Sequence, residues 1–358
     1  MENKYKKKTA IIMAGGTGGH IFPGLALAEK LKKNDWNVFW LGAPNSMEER
    51  IVVPKGFDFK KVDFSGVRGK GLKRILSLPF NIIKALLQSK KIIDAVNPDV
   101  VIGFGGYITF PGGLIAKLNG KKLILHEQNS IAGLANKILS KIANKVFCAY
   151  PNALTNGEWI GNPLREEFLK EDLPENRFIG RSGPLKLLVV GGSLGAKALN
   201  DIVPKALALI DKNNRLIVIH QSGEKQIEQL KKNYSESNIE AELTPFISNT
   251  AKAFAEADMI IARAGASTVT EIAAVGAAAL FIPFPYAVDD HQTFNAKFLV
   301  DNGGGLLIQE KELTPEKLAE IIKNTSREKL LDFANKAYEK RKNEAVNLMV
   351  DYCEKISS

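Results

Sequence analysis

A chain of 358 residues, 45% hydrophobic and 25% charged, has the length for about two domains with separate cores and the composition of a globular protein, not of a fibrous or disordered one. Cys148 and Cys353 are too few for a disulfide framework or a thiolate metal site, which fits a reduced cytosolic compartment, and no uncharged apolar run approaches the roughly 18 residues of a membrane span. The formal charge of +10 lies wholly in the first half, where residues 1–160 carry 24 Lys and Arg against 11 Asp and Glu, while residues 161–358 carry 25 against 28.

In chain order, the basic start is followed by the apolar run 9–14, too short for a secretory signal and bounded by Gly15-Gly16-Thr17-Gly18-Gly19-His20. Leu25, Leu27, Ala28 and Leu31 then take helical spacing. Further strands are expected near 37–41, 99–103, 122–126 and 145–148, with helices between them. Between the second and third, residues 60–91 hold nine basic groups against Asp63 alone, interleaved with Leu72, Ile75, Leu76, Phe80, Ile83 and Leu87. The stretch 150–164 is rich in turn formers and reads as a linker. Strands resume near 185–190, where the run ends in Gly191-Gly192-Ser193-Leu194-Gly195-Ala196, and continue near 215–220, 241–244, 258–261 and 279–282. From Ser326 onward the pattern is one long or broken helix, able to return to the first domain. Strands alternating with helices predict an α/β protein with parallel sheets.

Chemistry is expected where strands end. A strand that runs into glycines and then a helix brings backbone N–H groups to a ligand and aims the positive end of a helix at an anion. The chain does this twice, although neither turn has the full G-x-G-x-x-G fingerprint. His20 opens the first helix, where the helix dipole favours a neutral ring able to accept a proton; the plain alternative is a capping or loop histidine. Arg263 to Glu271 joins a strand to a helix start whose Ser267 and Thr268 suit a pyrophosphate and whose Glu271 suits ribose hydroxyls, or these residues are ordinary cap and first-turn chemistry. His291, Gln292 and Asn295 follow another strand end, where amides suit sugar hydroxyls. Glu127 is either a second candidate base or a structural acceptor. No D-x-D triplet occurs, so the diphosphate site is expected to work without a metal.

Together, GGTGGHIFPGLALAEKL at 15–31, IGFGGY at 102–107, HEQNSIAGLANK at 126–137, GNPLR at 161–165, GGSLGA at 191–196, RAGASTVTE at 263–271 and DDHQTFNA at 289–296 resemble the MurG family of UDP-N-acetylglucosamine-dependent glycosyltransferases of bacterial peptidoglycan synthesis. The resemblance implies an α/β GT-B fold of two Rossmann-like domains with parallel sheets facing an interdomain cleft. It implies an acceptor and membrane-associating domain over 1–163, joined by a C-terminal helix at 340–358, and a UDP-GlcNAc domain over 164–339. The implied reaction is inverting, metal-independent transfer to the 4-hydroxyl of lipid I, serving cell-wall synthesis, cell shape and division, with no cofactor and no nucleic-acid partner. His20 would be the base. Thr17, Gly18, Gly19, Asn129, Arg165, Ser193, Ile247, Ala266, Ser267, Thr268, Val269, Thr270, Glu271, His291 and Gln292 would hold UDP-GlcNAc. Leu72, Lys73, Arg74, Ile75, Leu76 and Phe80 would meet an anionic membrane surface at the cytoplasmic face of the cell membrane, peripherally, with other cell-wall synthesis proteins as partners. Another GT-B transferase or a UDP-sugar epimerase stands behind this reading, then a non-catalytic binding protein. An oxidoreductase is disfavoured because no acidic residue follows the second strand at Leu41.

Overall fold

The computed structural model describes residues 7–64, 78–192 and 195–357. The chain divides into two compact units, Met1–Arg165 with Asn343–Ser358, and Glu166–Lys342. In the first unit, strands β1 (Thr9–Ala14), β2 (Asn37–Gly42), β3 (Asp58–Lys61), β4 (Val100–Gly105), β5 (Lys122–Glu127), β6 (Lys145–Cys148) and β7 (Glu158–Trp159) form one parallel sheet in the order β3-β2-β1-β4-β5-β6-β7. They alternate with helices α1 (Gly18–Lys33), α2 (Met47–Val52), α3 (Leu78–Val96), α4 (Thr109–Leu118) and α5 (Leu134–Leu139). The period of two in β1 sorts its side chains. Ala10, Ile12 and Ala14 pack with Leu25, Leu27 and Leu31 of α1, while Ile11 and Met13 pack with Ala85 and Ile93 of α3 and Ile115 of α4. Both faces are covered, which is why the central strands read as unbroken apolar runs.

The second unit contains α6 (Pro174–Phe178), β8 (Lys186–Val190), α7 (Lys197–Ala208), β9 (Ile217–Gln221), α8 (Ile227–Glu236), β10 (Glu242–Thr244), α9 (Thr250–Glu256), β11 (Met259–Ala262), α10 (Ala266–Val275), β12 (Ala279–Phe281), α11 (His291–Val300), β13 (Leu306–Leu307), α12 (Pro315–Lys323) and α13 (Arg327–Glu339). Its parallel sheet runs β10-β9-β8-β11-β12-β13. In each unit the order reverses beside the first strand, at β1/β4 and at β8/β11, and such switch points are where α/β sheets bind ligands. Both glycine turns leave the sheets there.

The final helix, α14 (Ala345–Ile356), belongs to the first unit. Ala345, Met349, Val350 and Cys353 are buried in its core, and Glu354 accepts from Trp36 Nε1 at 2.5 Å and Lys8 Nζ at 2.6 Å. The stretch 150–164 is likewise part of this unit and no free linker: it supplies β7, and Tyr150, Ile160, Asn162 and Leu164 are buried.

Candidate functional site

In the first unit, β1 turns at Gly15 and Gly16 and enters α1 through Thr17, the extended N-cap residue. The turn is pressed against the end of β4. Gly106 has φ +82, and a Cβ there would stand 2.3 Å from the Gly15 carbonyl oxygen, so only glycine fits. Beneath the turn lies Glu48, fully buried at the start of α2. Its carboxylate accepts from Gly16 N–H (3.2 Å), Ala43 N–H (3.2 Å) and the Tyr107 hydroxyl (3.4 Å). Burial and the Glu48 charge push the Tyr107 phenol up to about 12. A turn whose Gly16 N–H is already given to a carboxylate is not a simple phosphate cradle. Thr17 is exposed, and Gly18, Gly19 and His20 are half-buried along the first turn of α1.

His20 does not stand alone. Its Nδ1 lies 2.7 Å from Gln128 Oε1, and the Gln128 amide lies 2.9 Å from His126 Nδ1 and 2.8 Å from the His126 carbonyl. His126 Nε2 in turn faces the Gly161 carbonyl at 2.9 Å. Both Gln128 and His126 are fully buried, and burial pushes His126 down to about 4, so its ring is neutral near pH 7. Glu127 is spent on structure. One carboxylate oxygen accepts from Asn129 N–H (2.9 Å) and the other from Gly133 N–H (3.1 Å) and Asn136 Nδ2 (2.9 Å). Of its two sequence readings, the structural acceptor is the one this geometry fits. Asn129 is half-buried at the end of β5, and the Arg165 guanidinium lies 5.9 Å over the Phe22 ring of α1.

In the second unit, Gly192, with φ +84, and Gly195, with φ +76, flank Ser193, which lies outside the described residues. A Cβ on Gly195 would fall 1.8 Å from the Ser222 carbonyl oxygen, so this turn is packed directly on the end of β9. Gln221 ties the loops together: its Nε2 donates to the Gly192 carbonyl (3.0 Å) and the Pro245 carbonyl (3.1 Å). Half-buried Ile247 is two residues beyond Pro245.

Helix α10 starts at Ala266 behind Gly265, with no acidic residue in its first turn. Ser267 Oγ is buried there without a hydrogen-bond partner. Thr268 and Glu271 are half-buried, Val269 is fully buried, and Thr270 turns its hydroxyl onto the Ala266 carbonyl at 2.9 Å. Gln292 bridges two strand-end loops, its Oε1 accepting from Ala264 N–H (3.2 Å) and Phe284 N–H (3.0 Å). The His291 ring donates from Nδ1 to the Val288 carbonyl at 2.7 Å, so Nε2 is its remaining nitrogen. Arg263 is structural, donating to the Ile282 and Pro283 carbonyls and pairing with Glu310.

Of the membrane-face residues, Leu72, Lys73, Arg74, Ile75 and Leu76 lie outside the described residues. Phe80 is described and is 76% exposed. With Ile83 and Leu87 it forms an uncovered apolar stripe on α3, while Ala85, Ser89 and Ile93 face the core. Sequence reasoning gave no role to Glu48, Gln128 or Gln221. Gln128 and Gln221 sit at strand ends, a position that could have marked them; nothing near Glu48 in the sequence distinguishes it from first-turn dipole chemistry.

Residues 10–148 match the glycosyltransferase family 28 N-terminal domain and residues 186–350 the glycosyltransferase family 28 C-terminal domain. A relative from Paracidovorax citrulli (strain AAC00-1) is 59% identical over 351 residues, spanning 98% of this chain and 99% of its own. Another, from Acidovorax sp. (strain JS42), is 59% identical over 352 residues, spanning 98% and 88%. Both bear the name UDP-N-acetylglucosamine–N-acetylmuramyl-(pentapeptide) pyrophosphoryl-undecaprenol N-acetylglucosamine transferase. The crystal structure of Acinetobacter baumannii MurG is similar at a TM-score of 0.86 and 40% identity, over 97% of this chain and 99% of that one. The calicheamicin glycosyltransferase, at 0.69 and 13% over 99% and 100%, shares the fold.

Proposed function

We infer the roles of these residues from one premise: the chain belongs to glycosyltransferase family 28 and is the UDP-sugar glycosyltransferase that moves N-acetylglucosamine from UDP-GlcNAc to lipid I, giving lipid II for peptidoglycan synthesis. In our reading His20 Nε2 takes the proton of the muramyl 4-hydroxyl as that oxygen attacks the anomeric carbon. The bond from that carbon to the β-phosphate oxygen breaks, its electron pair leaves with UDP, and the sugar inverts. Thr17, Gly18, Gly19, Asn129 and Arg165 are the first unit's contacts to the sugar nucleotide.

The second unit carries the nucleotide. The N-terminal turn of α10, Ala266 to Thr270, receives the charge that develops on the diphosphate, with Ser267 Oγ as a hydroxyl still in need of a partner. Ser193 assists from the glycine turn. Glu271 takes the ribose, the Ile247 backbone the uracil, and His291 and Gln292 the sugar hydroxyls. Backbone N–H groups and hydroxyls make a diphosphate site that needs no metal ion.

The observation that carries the catalytic assignment is the contact between His20 Nδ1 and Gln128, which leaves Nε2 as the ring's basic atom. Its test is UDP release from UDP-GlcNAc and a lipid I analogue in EDTA. We expect full activity in EDTA, and for His20→Ala a kcat loss of about 10²–10⁴-fold with UDP-GlcNAc affinity unchanged. Equal loss of turnover and affinity would make the histidine structural.

We also propose that the exposed stripe of α3, with Lys84, Lys90 and Lys91 on the same helix, docks this chain peripherally on an anionic bilayer at the cytoplasmic face, where its lipid acceptor resides and where other cell-wall proteins can reach it. Attraction on the order of 1 kcal/mol per basic residue near the surface supports reversible docking. No helix among the described residues is long and apolar enough to cross a membrane.

A further inference from the structure

We propose that Gln128 and His126 are positioning residues for the transfer, a buried chain of hydrogen bonds that holds the His20 ring in its Nδ1–H tautomer and so reserves Nε2 as the base. The inference rests on the reading of His20 as the base and adds what sets its polarity.

The direction of every bond in the chain follows from groups that can act in one way only. A backbone carbonyl accepts and never donates, so His126 Nε2, 2.9 Å from the Gly161 carbonyl, carries the proton and His126 Nδ1 carries the lone pair. That lone pair and the His126 carbonyl are both within 2.9 Å of the same Gln128 nitrogen. Two acceptors on one side fix the amide with its NH2 towards them. Its oxygen therefore faces His20 Nδ1, at 2.7 Å, and an amide oxygen only accepts. His20 Nδ1 must donate, and the lone pair of the neutral ring is left on Nε2.

The surroundings keep this order from reversing. Gln128 and His126 are shut off from water, which could otherwise satisfy the wrong arrangement. The low pKa of His126 keeps its ring from taking a second proton that would reverse its bond to Gln128. Gly105, with φ +98, lies against the imidazole: a Cβ there would stand 3.1 Å from His20 Cε1. The isolated imidazole of a histidine in water favours the opposite, Nε2–H form, so the protein has to impose this one. During transfer the hydroxyl proton moves to Nε2 while Nδ1–H stays bonded to Gln128. The imidazolium then returns that proton to solvent, and no partner along the chain changes its own protonation.

The experiment reads the tautomer directly. The chain has four histidines, His20, His126, His220 and His291. In ring-nitrogen NMR of the ¹⁵N-histidine-labelled full chain, the signals lost in His20→Ala identify His20. We expect a protonated Nδ1 for His20 and a protonated Nε2 for His126. Gln128→Met, of similar shape without the acceptor, should return His20 towards Nε2–H and lower kcat about 10- to 100-fold, with KM for UDP-GlcNAc within about twofold of wild type. Gln128→Glu keeps an oxygen facing Nδ1 and so should keep Nδ1–H on His20, while its second oxygen, opposed to the His126 lone pair and carbonyl, should draw a proton onto itself or onto His126 Nδ1. A wild-type His20 protonated on Nε2, or a Gln128→Met enzyme with unchanged tautomer and kcat, overturns the inference. The spectra need no substrate, so the two readings fail separately: an active His20→Ala enzyme removes the base, and an Nε2–H His20 removes the relay.

Discussion

Two buried histidines make the stability of this protein sensitive to mild acid. Burial pushes His126 down to about 4 and His220 down to about 3, against an ordinary 6.5. Between about pH 6.5 and those values the unfolded chain binds protons that the folded rings refuse. The stability they protect is therefore complete above pH 6.5 and declines as pH falls, by about 1.4 kcal/mol per unit for each ring. Urea midpoints between pH 7.5 and 4.5 should show that slope, and a flat series would mean both rings charge without cost. A second expectation at this scale concerns Glu271. If it accepts a ribose hydroxyl as proposed, Glu271→Ala should weaken UDP-GlcNAc about 10- to 100-fold in calorimetry, in line with about 1.5–3 kcal/mol for one hydrogen bond to a charged group. An unchanged affinity would take Glu271 out of the ribose site.

Helix α3 carries two apolar stripes in different surroundings. Its stripe of Ala85, Ser89 and Ile93 closes the first unit's core, whereas Phe80, Ile83 and Leu87 have no core against them. Replacing Phe80 and Leu87 by Ser should weaken binding to vesicles with anionic headgroups by about 10²- to 10⁴-fold, from about 1.5–3 kcal/mol per side chain, and leave turnover of a water-soluble acceptor analogue intact. Cosedimentation that matches wild type would dismiss the stripe as a docking face. The same helix also shows what sequence can reveal: the mixture of apolar and basic residues over 60–91, which overlaps it, is legible, as are the ten strands read from apolar runs. The three missed strands are β3, β7 and β13. They lie at sheet edges and have two to four residues each, Asp58–Lys61 carrying three charges, because an edge strand is kept short and charged to prevent pairing with another chain. Periodicity has too few residues to register there. In the site, His20, Gln292 and the α10 turn are visible as motifs. The link from His20 to Gln128 spans 108 positions and that from Gly16 to Glu48 spans 32, and both arise only when the sheet has gathered segments distant in sequence at one end of its strands.

For the whole molecule, the division of the chain matters more than its length. The second unit is one continuous segment, whereas the first needs α14 from the far end of the chain. Removing residues after Lys342 uncovers the core around Met349, Val350 and Cys353 and breaks the Glu354 contacts to Lys8 and Trp36. At about 1.5–3 kcal/mol per large buried side chain the loss is of the order of a domain's entire stability. Calorimetry of that truncated chain should show the first unit's transition lowered or absent and the second unit's transition in place; one unchanged transition would show that α14 is dispensable.

The position of α14 also has a consequence in time. A ribosome working at about 5–20 residues per second spends roughly 10–35 s on the 166–342 segment after the first unit's sheet has emerged. Throughout that interval the surface awaiting α14 is bare, a natural client for a holdase and a target for proteases. The unit that holds His20 thus becomes complete only when translation has passed α14, and a stalled or clipped chain can carry a finished second unit without a finished first one.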